Sequence, residues 1–236
     1  MKSSQHYLSH DCFENFEYCL EFQPEYVGKY DIPMMEPCYL DVGENDKLLR
    51  FCDWKSVNDP ENYIAHFYYD DYKFIQAWRK PEKYLDRLAR FKAVIAPEFS
   101  LYTDFPKTLQ ILSCYRRQWL AAYWQYNGIE VIPCVLWGNE NSYDFCFDGI
   151  PENSVVSVST VGIKRKPNWN GRQFDLFKRG YDEMLQRIAP ETIIWNGPMI
   201  DGVDSDKVIK LPSYYDERRP YLDELKAVKR KNGNRK

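Results

Sequence analysis

Short apolar runs, several of them rich in β-branched residues, recur along this chain at intervals too long for hairpins. They read IPMMEP (32–37), IAHFYY (64–69), AVIAP (93–97), EVIPCVLW (130–137), VVSVSTVG (155–162), TIIWNG (192–197) and VIKLP (208–212). Most are nearly continuous in apolar character, as expected of strands buried on both faces of a parallel sheet. VVSVSTVG alternates instead, which predicts one more polar face. Between the runs lie longer amphipathic stretches. DKLLRFCDWKSV follows the first run, DDYKFIQAWR and PEKYLDRLARF follow the second, and FPKTLQILSCYRRQWLAAYWQYNG follows the third. GRQFDLFKRGYDEMLQRIAP precedes TIIWNG, with Phe174, Phe177, Tyr181, Met184, Leu185 and Ile188 on one face. Strand and helix in alternation imply βα units with right-handed crossovers. The expected fold class is therefore α/β, with mostly parallel strands arranged as a (βα) barrel-like or incomplete barrel; a doubly wound sheet is the alternative.

The reading divides the 236 residues into an irregular lead-in (1–30), a single α/β domain (31–221) and a basic, frayed tail (222–236). Apolar residues make up 44% and aromatic residues 17%, enough to build a packed core rather than a disordered chain. A net charge of −3 supplies no global positive field for nucleic acid, although it leaves room for a local basic groove.

The seven cysteines, at 12, 19, 38, 52, 114, 134 and 146, form no CxxC pair, and several sit inside apolar runs. Reduced, largely buried thiols are the expectation. His6, His10 and His66 lack ligand spacing, so no metal site is assigned. The first residues carry no apolar signal region, and no run approaches the length of a membrane span, so a cytoplasmic protein without a membrane partner is expected.

In parallel α/β folds, ligands lie at the carboxyl ends of strands. Those ends carry Glu36, then Asp70 and Asp71, then Glu98, then Trp137 with Asn139 beyond it. Ser157, Ser159 and Thr160 follow on the fifth strand, and Trp195 and Asn196 on the sixth. The long helix after the third strand adds a pair of arginines. On a wheel anchored at Leu109, the residues Leu112, Trp119, Leu120 and Tyr123 fall within about 80°, and Arg116 about 20° away. That phase turns Arg116 inward, toward Glu98 or Asp70, and Arg117 outward. An inward guanidinium needs an anion.

No nucleotide-binding glycine loop, serine-hydrolase elbow or zinc-protease helix occurs in the sequence. With three histidines and none well placed, an enzyme built on this chain would rely on carboxylates, with or without Mg²⁺. The catalytic candidates are Asp70, Glu98 and Arg116, and the substrate-binding candidates are Trp137, Asn139, Thr160, Trp195 and Asn196.

FYYDDYKFIQAWRKPEKYLDRLARFKAVIAPEFSLYTDFPKTLQI, YRRQWLAAYWQYNGIEVIPCVLWG and FCFDGIPENSVVSVSTVG together resemble an uncharacterised domain-of-unknown-function family. That family is found in phages, prophages and mobile elements and in their bacterial and archaeal hosts. The resemblance runs over roughly residues 30 to 200. Asp70, Asp71, Tyr115, Arg116 and Asp148 to Pro151 match its pattern, which usually has Asp where this chain has Glu98. The resemblance implies a mobile-element setting and no particular chemistry.

Three functions remain open. One is a carboxylate-dependent enzyme acting on a nucleotide, nucleic acid or glycan at the strand-end rim. Another is a nucleic-acid-associated accessory protein of a mobile element, using Lys164, Arg165, Lys166 and Trp169 together with the basic tail. The third is a binding protein that sequesters a host factor or small signalling molecule on the same rim.

Overall fold

The computed structural model describes residues 22–43, 45–161, 171–203 and 206–214, with the backbone alone described for 171–173. Lys164, Arg165, Lys166, Trp169 and the tail at 222–236 lie outside the described residues. The described chain opens on a small antiparallel pair, β1 (Tyr26–Val27) and β2 (Ile32–Pro33), turned through Gly28 and Asp31 at positive φ. β3 (Lys47–Arg50) and β4 (Tyr63–His66) follow, then the short helices α1 (Ile75–Arg79) and α2 (Leu85–Leu88) and the strand β5 (Ala93–Ile95). The 20-residue helix α3 (Lys107–Tyr126) leads to β6 (Val131–Ile132) and β7 (Val155–Ser159). α4 (Gly171–Ile188), β8 (Thr192–Asn196) and β9 (Val208–Ile209) complete the order.

The fold is α/β. β3, β4, β5 and β6 form one parallel sheet in that order, and β7, β8 and β9 form a second. Two isolated parallel bridges link them. Cys134 pairs with Ser157 beyond the end of β6, and Leu48 of β3 pairs with Ser213 beyond the end of β9. The strands expected at 64–69, 93–97, 130–137, 155–162 and 192–197 are thus all present in shortened form, and every pairing among them is parallel.

Two expectations at the start of the chain need correcting. IPMMEP is not the first parallel strand: only Ile32 and Pro33 pair, and antiparallel. Two prolines in six residues remove donors that a central strand needs. The first parallel strand is instead KLLR (47–50), inside the stretch read as a helix. Leu48 and Leu49 are adjacent and both buried, which an extended strand covered on both faces achieves. The rest of that stretch is a 3₁₀ turn, Phe51–Ser56. β1 also lies within the segment expected to be an irregular lead-in.

The alternation in VVSVSTVG is real, but its polar face is interior. Val155 to Ser159 are all buried. Val156 and Val158 pack with Phe177, Tyr181, Met184 and Ile188 of α4 in one apolar cluster. Val155 and Ile194 belong to a second cluster with residues of β3 to β6 and α3. β7 and β8 therefore contribute to both clusters. On the serine face, Ser157 Oγ accepts a hydrogen bond from Tyr68 Oη at 2.8 Å. It donates to the Ile194 carbonyl at 3.1 Å.

Candidate functional site

A pocket of about 120 Å³ opens at the carboxyl ends of β5, β6 and β7, beside α4. Glu98, Val135, Leu136, Trp137, Val158, Ser159, Val161 and Phe177 line it. Glu98 comes from the short turn after β5, half-buried between the buried Pro97 and Phe99. Trp137 and Phe177 form an aromatic corner, with ring centroids 5.0 Å apart and planes inclined at 46°. Gly180 makes that corner possible. A Cβ there would meet the Trp137 ring at 2.1 Å.

Burial holds the Glu98 carboxyl well above the ordinary 4.5, to about 8. Arg117 opposes the shift and Asp71 adds to it. Near neutral pH this group is therefore mainly a carboxylic acid, able to donate as well as accept. Behind it lies a largely closed polar layer. Tyr68 and Cys134, both buried, feel the Glu98 charge, and burial pushes the Cys134 thiol up to about 12. His66, buried at the end of β4 two residues before Tyr68, is pushed down to about 3 by burial and by Arg50, and its Nδ1 accepts from the Tyr68 amide at 3.2 Å. His66 is thus a neutral, hydrogen-bonded core residue.

The inward arginine is Arg117 and not Arg116, a correction to the helical phase. Arg117 is fully buried. Its Nη2 donates to the Cys146 carbonyl at 3.2 Å and lies 3.7 Å from Cys114 Sγ. Its Nε and Nη1 have no hydrogen-bond partner among the described residues. Arg116 is half-buried, with its guanidinium carbon 5.6 Å from the centre of the Trp78 ring. The carboxylate that attracts it is Asp71. Leu109 and Leu112, which set the expected phase, are 47% and 37% exposed. The buried residues of α3 are Gln110, Cys114, Arg117, Gln118, Trp119, Leu120, Ala121, Ala122 and Trp124: Trp119 and Leu120 of the expected stripe face in, and the polar members beside them widen the inner face beyond what a hydrophobicity wheel finds.

Of the residues expected at the site, Glu98 and Trp137 meet in the pocket. Asn196 stands next to it, its Nδ2 3.5 Å from Ser159 Oγ. Thr160 and Trp195 both donate to the Pro198 carbonyl, at 2.7 and 3.1 Å, and brace the turn after β8. Asn139 accepts from the Asn141 amide and caps a 3₁₀ turn. Asp70 is 62% exposed at its side chain and pairs with Lys73 at 2.8 Å. Its neighbour Asp71 is the one turned inward, held by the Ser100 amide and hydroxyl at 3.0 and 2.9 Å.

Ser159, Val161 and Phe177 join the pocket without having been candidates. Alternation along VVSVSTVG was the available signal for Ser159. The FDGIP segment proves to be architectural. Gly149 has φ +72, and its Cβ would strike the Pro33 carbonyl at 2.2 Å. The Asp148 carbonyl accepts from Gln118 of α3. Among the described residues, no group of three or more His, Cys, Asp or Glu side chains is arranged to hold a metal. Cys38, Cys52, Cys114, Cys134 and Cys146 are free thiols. No helix among these residues is long and apolar enough to cross a membrane.

Comparison with known proteins places this chain in a family. Residues 24–214 match the model of the Domain of unknown function (DUF4417), and the protein belongs to that family. It is 40% identical over 204 residues to the Gene 1 protein of Mycobacterium phage L5, covering 86% of this chain and 79% of the relative. It is 37% identical over 164 residues to the Gene 1 protein of Mycobacterium phage D29, covering 69% of this chain and 59% of the relative. No solved structure matches it.

Proposed function

We propose that this protein is a carboxylate-dependent enzyme on an incomplete (βα) barrel, with Glu98 as its general acid–base group. The substrate would be a nucleotide, nucleic-acid strand or glycan bound at the strand-end rim. The barrel reading draws support from the two bridges, which join the sheets at both edges in the order β3-β4-β5-β6-β7-β8-β9 and back to β3. The Tyr68–Ser157 bond supports it independently. Tyr68 follows β4 and Ser157 lies in β7, three strands apart in that order. A flat sheet would separate them by about 14 Å, beyond the reach of one tyrosine. Curling the strands into one ring would also make 31–221 a single domain.

The observation that carries the enzymatic reading is Glu98 itself, a carboxyl held to about 8 by burial in the lining of a pocket at the strand ends. Such a group sits near the operating pH, where a proton donor and acceptor works best. Arg117 is its positioning residue, acting from behind. Asp70 and Arg116 play no part at this pocket, and Trp137 supplies a wall for the ligand. Mg²⁺, considered from the acidic rim, has no converging ligand set among the described residues and no role in this reading. The phage relatives support a mobile-element setting. The accessory-protein alternative rests on Lys164, Arg165, Lys166, Trp169 and the tail, which lie outside the described residues.

The test is turnover of nucleotides, short single-stranded oligonucleotides and oligosaccharides by the full chain, compared with Glu98→Gln. The variant should lose turnover while folding at least as well as the parent. The sign follows from linkage. Glu98 is protonated in the folded state up to about 8 but ionises near 4.5 when unfolded, so the unfolded state binds fewer protons between those values. Wild-type stability therefore falls as pH rises through that window, and Glu98→Gln removes the fall. Equal turnover by wild type and variant would rule out the catalytic role.

A further inference from the structure

We propose that the Glu98 pocket takes a single nucleobase-type ring, a planar and uncharged heterocycle that presents an adjacent hydrogen-bond donor and acceptor to the Glu98 carboxyl. This rests on the reading of that pocket as the functional site and narrows the ligand class. Size is the first argument. A volume of about 120 Å³ equals roughly four waters, which suits one base ring, with any attached sugar or phosphate left outside in solvent. The lining is the second. Val135, Leu136, Val158 and Val161 bring apolar side chains, Trp137 and Phe177 make the aromatic corner, and the polar side-chain groups are Glu98, Ser159 and the indole N–H of Trp137. A phosphate or carboxylate would meet Glu98 with no cation in the lining, Arg117 being fully buried outside it.

Glu98 and Ser159 then specify the edge. Ser159 Oγ accepts from the Val161 amide at 3.0 Å and from Asn196 Nδ2 at 3.5 Å, so the hydroxyl proton is what it can offer a ligand. A protonated carboxyl sets a donor beside an acceptor and forms two parallel hydrogen bonds with an amide-like or amidine-like edge. Reading a base edge while apolar and aromatic side chains enclose the ring is how proteins hold an unstacked base. The groups facing Glu98 are Arg117 from α3, Asp71 from the turn after β4, the Tyr68 hydroxyl and the Cys134 thiol. Arg117 favours ionisation of Glu98, and Asp71 opposes it.

The experiment is calorimetric titration of the full chain with uridine, cytidine, adenosine and guanosine separately, at about pH 6.5 and about pH 9.5. At least one nucleoside should bind wild type at the lower pH and weaken by about tenfold or more at the higher, as Glu98 loses its proton. Glu98→Gln keeps a donor and an acceptor in the same places, so it should bind that nucleoside at both values with little change. The ratio of wild type to variant at each pH cancels any titration of the base itself. Val161→Trp, at an exposed pocket wall, should abolish binding while leaving the fold intact. The inference is overturned if no nucleoside binds, if wild type and Glu98→Gln share one pH dependence, or if Val161→Trp binds unchanged. Glycan turnover that depends on Glu98 without nucleoside binding would overturn it and leave the catalytic reading standing. The pH-linked nucleoside binding described here without any turnover would support it and remove the catalytic reading.

Discussion

α3 and α4 are the two long helices of the described chain, and they bury themselves by different means. α4 presents Phe177, Tyr181, Met184 and Ile188 to one apolar cluster, an arrangement any hydrophobicity wheel finds. α3 is 20 residues long and buries Gln110, Arg117 and Gln118 among its inner residues, while Leu109 and Leu112 stay exposed. The reason lies in what each helix packs against. α4 covers the valine face of β7 and the Ile193 and Trp195 face of β8. α3 sets Trp119, Leu120, Ala121 and Trp124 into the cluster of β3 to β6 and, on its remaining inner positions, clasps loop backbone. Arg117 donates to the Cys146 carbonyl, Gln118 to the Asp148 carbonyl and Gln110 to the Phe105 carbonyl. Burying a loop requires donors for its carbonyls, and those donors must come from side chains of the covering helix.

A reciprocal exchange tests this contrast most severely. Met184→Arg in α4 should cost more than about 5 kcal/mol and leave no stable fold, because it puts an unpaired charge in a fully apolar cluster. Arg117→Met in α3 should cost only about 1–3 kcal/mol, the penalty of leaving the Cys146 carbonyl without its donor, because an apolar chain of similar length also removes a buried charge with few partners. Denaturant melts of both variants measure the difference. Similar losses in the two would mean that Arg117 is a structural keystone and not a group retained for its effect on Glu98. In the surviving Arg117→Met protein the Glu98 pKa should rise further, since the guanidinium favours the carboxylate.

Much of the fold was legible because strand burial writes itself into sequence. Runs such as AVI and TIIWN are apolar on both faces, and their order with the helices between them sufficed to expect parallel pairing. What stayed hidden was hidden for physical reasons. KLLR is four residues long, too short for a period of two to be told from a helical turn. Glu98 and Trp137 were legible as strand-end residues, and they do meet. Arg117, Asp71 and Ser159 were passed over in favour of neighbours one position away. In each case one residue of phase decides which side chain faces in, and polar residues on an inner face carry no hydrophobic signal.

A smaller effect separates the clasp from ordinary packing. Gln118→Ala removes the donor to the Asp148 carbonyl and should cost about 1–2 kcal/mol, the penalty of one buried, newly unpaired acceptor. The loss should be felt in the loop at 145–150 before it is felt in α3. Amide exchange at Ile150, whose N–H bonds the Phe147 carbonyl, should speed up more than exchange in the middle of the helix. Uniform acceleration through both would mean that Gln118 supports the helix rather than the loop.

The smallest expected effect is also the sharpest check on the helical phase. Leu109→Gln should change stability by no more than about half a kcal/mol, because the side chain is already 47% exposed and a glutamine keeps helix propensity. The alternative phase, with Leu109 at the centre of the buried stripe and Arg116 beside it, predicts instead a loss of about 2–5 kcal/mol for a buried leucine replaced by an amide. The two outcomes differ by more than the error of an ordinary melt. A small loss leaves Arg117 as the inward guanidinium behind Glu98. A large one would turn the helix by 100°, bring Arg116 to the carboxyl, and remove the donor that holds Cys146 and the loop around it.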